Sequence, residues 1–181
     1  MIGSIMRKII FALLIAIPVC GYAFTKEGFY TIDSSGWVAK STPSGDVFIC
    51  DACPDMVQVQ ISYGPEAGFD SPFKSNSDFI NAFSTKEKKE AFAKMLMDGS
   101  MPSTGFEVKI IRVDEDHLGA LKALRYSATI KMPDGNIGRE TTLVAFHKNR
   151  LMKFSANFYD NKLNEKSATA LDNLHKSINL L

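Results

Sequence analysis

Leu124, Tyr126, Ala128, Ile130 and Met132 are separated by Arg125, Ser127, Thr129 and Lys131, so apolar and polar side chains alternate without a fault from residue 124 to 132. Alternation at every step belongs to a strand, because successive side chains leave the backbone on opposite sides. A strand with one apolar and one polar side belongs to an antiparallel sheet covered on one face and wet on the other. The pattern returns at Met152, Phe154, Ala156 and Phe158 with Lys153, Ser155 and Asn157 between them, and at Phe106, Val108 and Ile110 with Glu107 and Lys109 between them. Asp134-Gly135 marks a tight hairpin, and a further strand is expected from about Arg139 to Phe146. Asp114-Glu115-Asp116-His117 and His147-Lys148-Asn149-Arg150 are expected to turn the chain.

Upstream, short strands are expected around residues 29–32, 36–40, 47–50 and 56–63, the last from the alternation of Val57, Val59, Ile61 and Tyr63 with Gln58, Gln60 and Ser62. Residues 64–77, with Pro65, Gly68 and Pro72, have the composition of a loop. Asp78, Phe79, Ile80 and Phe83 suit a turn or two of helix, and Ser84-Thr85-Lys86-Glu87 has the form of a capping box for a helix ending near Asp98-Gly99. Phe92, Met95 and Leu96 give that helix an apolar stripe, while Leu163, Leu171, Leu174 and Ile178 recur at helical spacing to the end of the sequence. The expected fold is α+β, an antiparallel β-sheet packed with helices that cover its apolar face.

The first 23 residues have a different character. Arg7 and Lys8 precede an apolar run from Ile9 to Val19, and Gly21-Tyr22-Ala23 supplies small residues for cleavage, the pattern of a secretory signal peptide. The run is shorter than the roughly 20 residues that span a bilayer, so no stable membrane insertion is expected after cleavage. Cys20 is also placed where a lipoprotein carries its acylated cysteine, but Val19 stands where lipoprotein processing resembles a pattern with a small residue. Residues 24–181 then form one α+β domain of ordinary length. Loss of Arg7 and Lys8 takes the formal net charge from +1 to −1, a balance that does not suggest nucleic acid.

Cys50-Asp51-Ala52-Cys53 could be a redox centre, half of a metal site or a staple. In an exported chain the two thiols are expected to be bonded to each other. A catalytic pair needs its first thiolate stabilised, usually by the N-terminus of a following helix, whereas here Pro54 leads into a strand. A zinc site would need two further ligands from the scattered His117, His147 and His175. The expectation is a structural clip, with thiol-disulfide exchange as the alternative.

Other chemistry finds little support. Asp114, Glu115 and Asp116 are consecutive, whereas a calcium loop spaces its carboxylates around a glycine turn. No G-x-S-x-G elbow is present, and a base at His147 on a hairpin tip would be an ordinary exposed imidazole. No cofactor, metal ligand set or catalytic residue is implied. The polar sides of the strands are more informative. Lys122, Arg125, Lys131 and Lys153, joined by Lys109 and interleaved with Ser127, Thr129, Ser155 and Asn157, are expected on one face with Glu107 as the lone acid. Such a face either serves solubility or receives an acidic protein surface.

Gly36-Trp37 near the start, "GNIGRETTLVAFHKNRLMKFSANFYD" and the closing "SATALDNLHKSINLL" resemble the PsbP-like family over residues 106–181. That family includes the extrinsic P subunit of photosystem II, a nuclear Ran-binding factor and small exported bacterial proteins. The resemblance implies an α/β/α sandwich and docking onto a larger protein, and it carries over neither the cysteine pair nor any catalytic residue. The expected function is therefore that of an exported, non-catalytic protein-binding protein of the periplasm. An immunity protein against a delivered toxin and an accessory subunit of an envelope complex are its two concrete forms. A thiol-disulfide oxidoreductase using Cys50 and Cys53 and a carrier of a small ligand are the alternatives.

Overall fold

The alternating stretches do form strands. In the structure, a computed structural model that describes residues 22–100, 105–159 and 163–181, seven of them make one antiparallel sheet. They are β3 (Trp37–Thr42), β4 (Gly45–Cys50), β5 (Val57–Tyr63), β6 (Glu107–Leu118), β7 (Leu121–Lys131), β8 (Ile137–His147) and β9 (Arg150–Tyr159). Their order across the sheet is β3-β4-β5-β9-β8-β7-β6, two runs of sequence neighbours joined where β5 pairs with β9. Most of the expected signal segment, residues 1–21, lies outside the described residues, and no described helix is long and apolar enough to cross a membrane.

A second, small sheet was not expected from the sequence. It holds β1 (Ala23–Lys26), β2 (Tyr30–Asp33) and β10 (Asn179–Leu180), which brings the C-terminal segment against Tyr30 and Thr31. The terminal helix α3 (Glu165–Lys176) accordingly stops before Ile178, which is buried in the core between helix and strand. Helix α1 (Asn76–Ala82) is capped by the Ser75 side chain, which accepts from the Asp78 amide. Helix α2 (Lys86–Ser100) is capped by Thr85 rather than Ser84, through the Lys88 amide. The acidic run Asp114–His117 does not turn the chain: it lies inside the edge strand β6, and the bend falls at Gly119 and Ala120. Between β8 and β9 the turn is two residues, Lys148 and Asn149, with φ of 50° and 57°, the left-handed pair that matches the twist of a hairpin.

The sheet is covered on both faces, as in the α/β/α sandwich that the resemblance implies, and not on the single face that the strand alternation suggests. Helices α1 and α2 pack Phe79, Ile80, Phe92, Ala93 and Met97 against Leu124, Tyr126, Ala128, Ile130, Val144 and Phe146. On the opposite face, Leu174 of α3, Ile178 and Tyr30 and Ile32 of the small sheet meet Phe48, Val59, Ile61, Leu143, Met152, Phe154 and Ala156. Each fully buried side chain of this size contributes roughly 1.5–3 kcal/mol, so the two half-cores are of comparable weight. The layers are helices, sheet and helix with small sheet, but the covers are offset. The helix pair lies over β6, β7 and β8, while α3 and the small sheet lie mainly over the β3-to-β9 half.

Candidate protein-docking face

Cross-strand register decides which polar side chains share a face. Leu124 of β7 is opposite Val144 of β8, which is opposite Lys153 of β9, whereas Arg125 is opposite Leu143, which is opposite Phe154. The apolar side chains of β7 and β9 therefore point to opposite faces of the sheet. Lys153 and Asn157 stand on the face that α1 and α2 cover farther along, and Arg125 and Lys131 stand on the face of α3. The single basic face expected from the sequence is thus divided in two. Lys122 belongs with neither group in position. It shares the parity of Leu124, faces the helix pair, and its carbonyl accepts from the Asn76 side chain of α1 at 2.9 Å.

Arg125 and Lys131 are also engaged by acids. Arg125 Nε and Nη2 donate to the two oxygens of Asp114 at 2.7 and 2.9 Å, and Nη1 donates to Asp116 at 2.7 Å. Arg112 joins the cluster through Asp114, and Lys131 donates to Glu107 at 3.0 Å. These pairs hold the edge strand β6 to β7, and they leave that surface of mixed sign.

The other polar surface is open and differently composed. The half of the Lys153 face formed by β3, β4, β5 and β9 carries Val38, Lys40, Val47, Ile49, Gln58 and Gln60 beside Lys153, Ser155 and Asn157. Val38 is 57% exposed and Ile49 47%, and they are opposite one another across β3 and β4. Lys40 and Lys153 are the charged residues of this half among the described residues, and neither meets an acid there. Glu140, at the border with the helix-covered half, is buried, and the hydroxyls of Tyr126 and Thr142 donate to it at 3.1 and 2.7 Å. Burial, with Glu140 adding to it, pushes the Tyr126 hydroxyl far above its ordinary range, so it remains a donor. The sequence signalled Lys153 and Asn157 but not Val38, Lys40 or Ile49. Their shared face follows only from knowing that β3 and β4 extend the sheet beyond β5.

The cysteine pair is a disulfide between Cys50 and Cys53, with Cα atoms 5.5 Å apart. It closes the end of β4 over a bend in which the Asp51 amide donates to Gly36 O at 3.0 Å, and Asp55 just beyond accepts from the Asn164 amide at the start of α3 at 2.7 Å. Residues 54–56 lead into β5, so the motif is followed by a strand and not by a helix. The three histidines are dispersed. His175 Nε2 lies 2.8 Å from the His117 carbonyl, while His147 sits by the Tyr63 hydroxyl at 3.2 Å, its pKa lowered by burial and then by Lys148. Among the described residues no three metal-ligating side chains converge.

No family model matches the chain, and no curated protein matches it in sequence. Solved structures do match in fold. A crystal structure from Bacteroides thetaiotaomicron VPI-5482 superposes with a TM-score of 0.50 at 8% identity, over 89% of this chain and 48% of that one, so the chain spans about half the length of that protein. The solution structure of cyanobacterial PsbP from Synechocystis sp. PCC 6803 gives 0.48 at 17% identity, covering 88% of this chain and 91% of that one. The Ran-binding protein Mog1p of Saccharomyces cerevisiae gives 0.45 at 8%, covering 83% and 89%. At these identities the likeness is one of fold, and it includes the two kinds of protein named by the sequence resemblance.

Proposed function

We propose that this chain is an exported, non-catalytic protein-binding protein of the bacterial envelope, acting in the periplasm and docking an acidic partner on the open half of the Lys153 face. The observation that carries this reading is the composition of that half-face: two exposed aliphatic side chains, Val38 and Ile49, in one cross-strand row with Gln58 and Asn157, Lys40 in the next row and Lys153 in the one beyond, with amides and hydroxyls among them and, among the described residues, no exposed acid. Apolar anchors with a polar rim are the pattern of a protein interface, and the unmatched lysines favour a negative partner. Lys153 and Asn157 keep the role expected of them, while Lys122, Arg125 and Lys131 lie elsewhere. An immunity protein against a delivered toxin and an accessory subunit of an envelope complex would both bind in this way, and the identity of the partner separates them.

The test is capture from a periplasmic extract with the mature chain, followed by titration of the captured protein. Ile49→Asp should weaken binding by more than tenfold, because it leaves a charge in the desolvated centre of the contact. Lys40→Glu with Lys153→Glu should weaken it by roughly tenfold and flatten its salt dependence, since exposed charges are screened within about 8 Å at physiological ionic strength. A captured partner indifferent to all three substitutions would mean that this face is only a soluble surface.

A further inference from the structure

At one end of the open face the sheet has a groove, of about 250 Å³, lined by Met56, Gln58, Met132, Gly138, Asn157 and Tyr159 among others. Gly138 lies at its floor. It pairs with Ile130 and Tyr159 in the middle of the sheet, and its φ is not in the left-handed region, so the backbone there does not demand glycine. A Cβ at Gly138 would meet the end of the Met132 side chain at 3.2 Å. What glycine provides is space on this face. The lining is mixed, with Met56, Met132 and Tyr159 apolar and Gln58, Asn157 and Arg139 polar; Met56 and Tyr159 are 68% and 51% exposed, so apolar groups reach the rim. Gln58 and Asn157, opposite one another in the β5–β9 register, bring two side-chain amides to the same place.

We infer that this groove receives an apolar side chain from an extended segment of the protein partner, and that the same segment carries an acid four residues away to meet Lys153. This rests on the docking reading above and specifies the partner's chemistry. The volume is below the ~300–1,000 Å³ typical of sites that enclose whole small molecules, and suits one side chain of leucine or phenylalanine size. An amide both donates and accepts, so Gln58 and Asn157 can each bond the backbone of a segment lying over them. Lys153 is on the same face of β9 as Asn157 and four residues back along it. At roughly 3.3 Å per residue that is about 13 Å from Asn157, the end of the groove nearer Lys153, which an extended partner covers in four residues; Gly138 and Tyr159 form the far end.

The capped pentapeptide Phe-Thr-Val-Thr-Asp tests the spacing against a control, Phe-Asp-Thr-Val-Thr, in which the acid adjoins the anchor. Both are titrated into the 15N-labelled mature chain. The first should shift the amide signals of Gly138, Asn157 and Lys153 and bind at least tenfold more tightly than the control. Gly138→Leu, which fills the groove and has an ordinary backbone angle to occupy, should abolish those shifts while the thermal unfolding profile stays cooperative. Equal binding of the two peptides, or a Gly138→Leu variant that binds within twofold of wild type, overturns the inference. Free phenylacetate that binds as tightly as the pentapeptide also overturns it, and makes the groove a small-ligand site. If the captured partner responds to Ile49→Asp but not to Gly138→Leu, the groove assignment fails and the docking face stands. If it responds to neither, both fail.

Discussion

Arg125 is held by two aspartates of the neighbouring strand, and its three hydrogen bonds make it a structural residue. Its hydrogen bonds hold the Asp114 carboxyl below the ordinary aspartate range, with Arg112 adding to the effect and burial opposing it. The sign of the linkage follows: a carboxyl whose folded pKa is depressed contributes stability that is complete above its unfolded value of about 3.9 and is lost as pH falls through the lower folded value. Arg125→Met should therefore cost about 1 kcal/mol at neutral pH, the upper end for a partly exposed pair, because the contact is two-pronged and shared with Asp116. The difference between wild type and variant should shrink as urea melts are repeated at pH 4, 3 and 2. A cost that is the same at pH 2 as at pH 7 would show that lost packing of the arginine stem, not the ion pairs, is responsible. Lys122 offers the converse lesson. Its even parity with Leu124 is plain in the sequence and sets it on the opposite side from Arg125, so the alternation by itself separates the two.

Strands with one covered face were legible, and those with two were less so. Thr142, Leu143, Val144, Ala145 and Phe146 are all buried, which is why this part of β8 does not alternate. That continuous run was the sequence sign that the sheet changes its covered face there. Asp114, Glu115 and Asp116 are poor strand formers, so the sequence suggests a turn where β6 continues. At a sheet edge those charges have a use, since they discourage pairing with another chain. Strands β1 and β10, of four and two residues, are too short to display a period. The bond between Cys50 and Cys53, by contrast, was legible from two cysteines three residues apart in a chain expected to be exported. Replacing both cysteines by serine should lower stability by about 2 kcal/mol on the loop-entropy estimate and leave the circular dichroism spectrum intact. The wild-type protein should not reduce insulin in the presence of dithiothreitol any faster than dithiothreitol alone. Catalysed reduction that disappears in the double variant would instead establish thiol-disulfide chemistry at this site.

Across the described residues the offset of the two covers leaves one half of each sheet face exposed, and among those residues only the half bearing Lys153 lacks exposed acids of its own. This arrangement could not be read from any single strand, because it depends on the seam between β5 and β9, whose register pairs Val57 with Phe158 and Tyr63 with Met152. All other pairings in the seven-stranded sheet join sequence neighbours. The seam is therefore where the seven-stranded sheet must close its largest loop before any contact rewards it, and the cost of that closure belongs to the rate-limiting barrier. Val59, fully buried in the seam, should report on it. In stopped-flow chevrons Val59→Ala should slow refolding by most of the amount that it destabilises the protein. Val38→Ala, on the exposed outer strand, should change neither limb by much. A Val59 variant that only unfolds faster would place the seam after the barrier, so that the two meanders would cross it separately and dock afterwards.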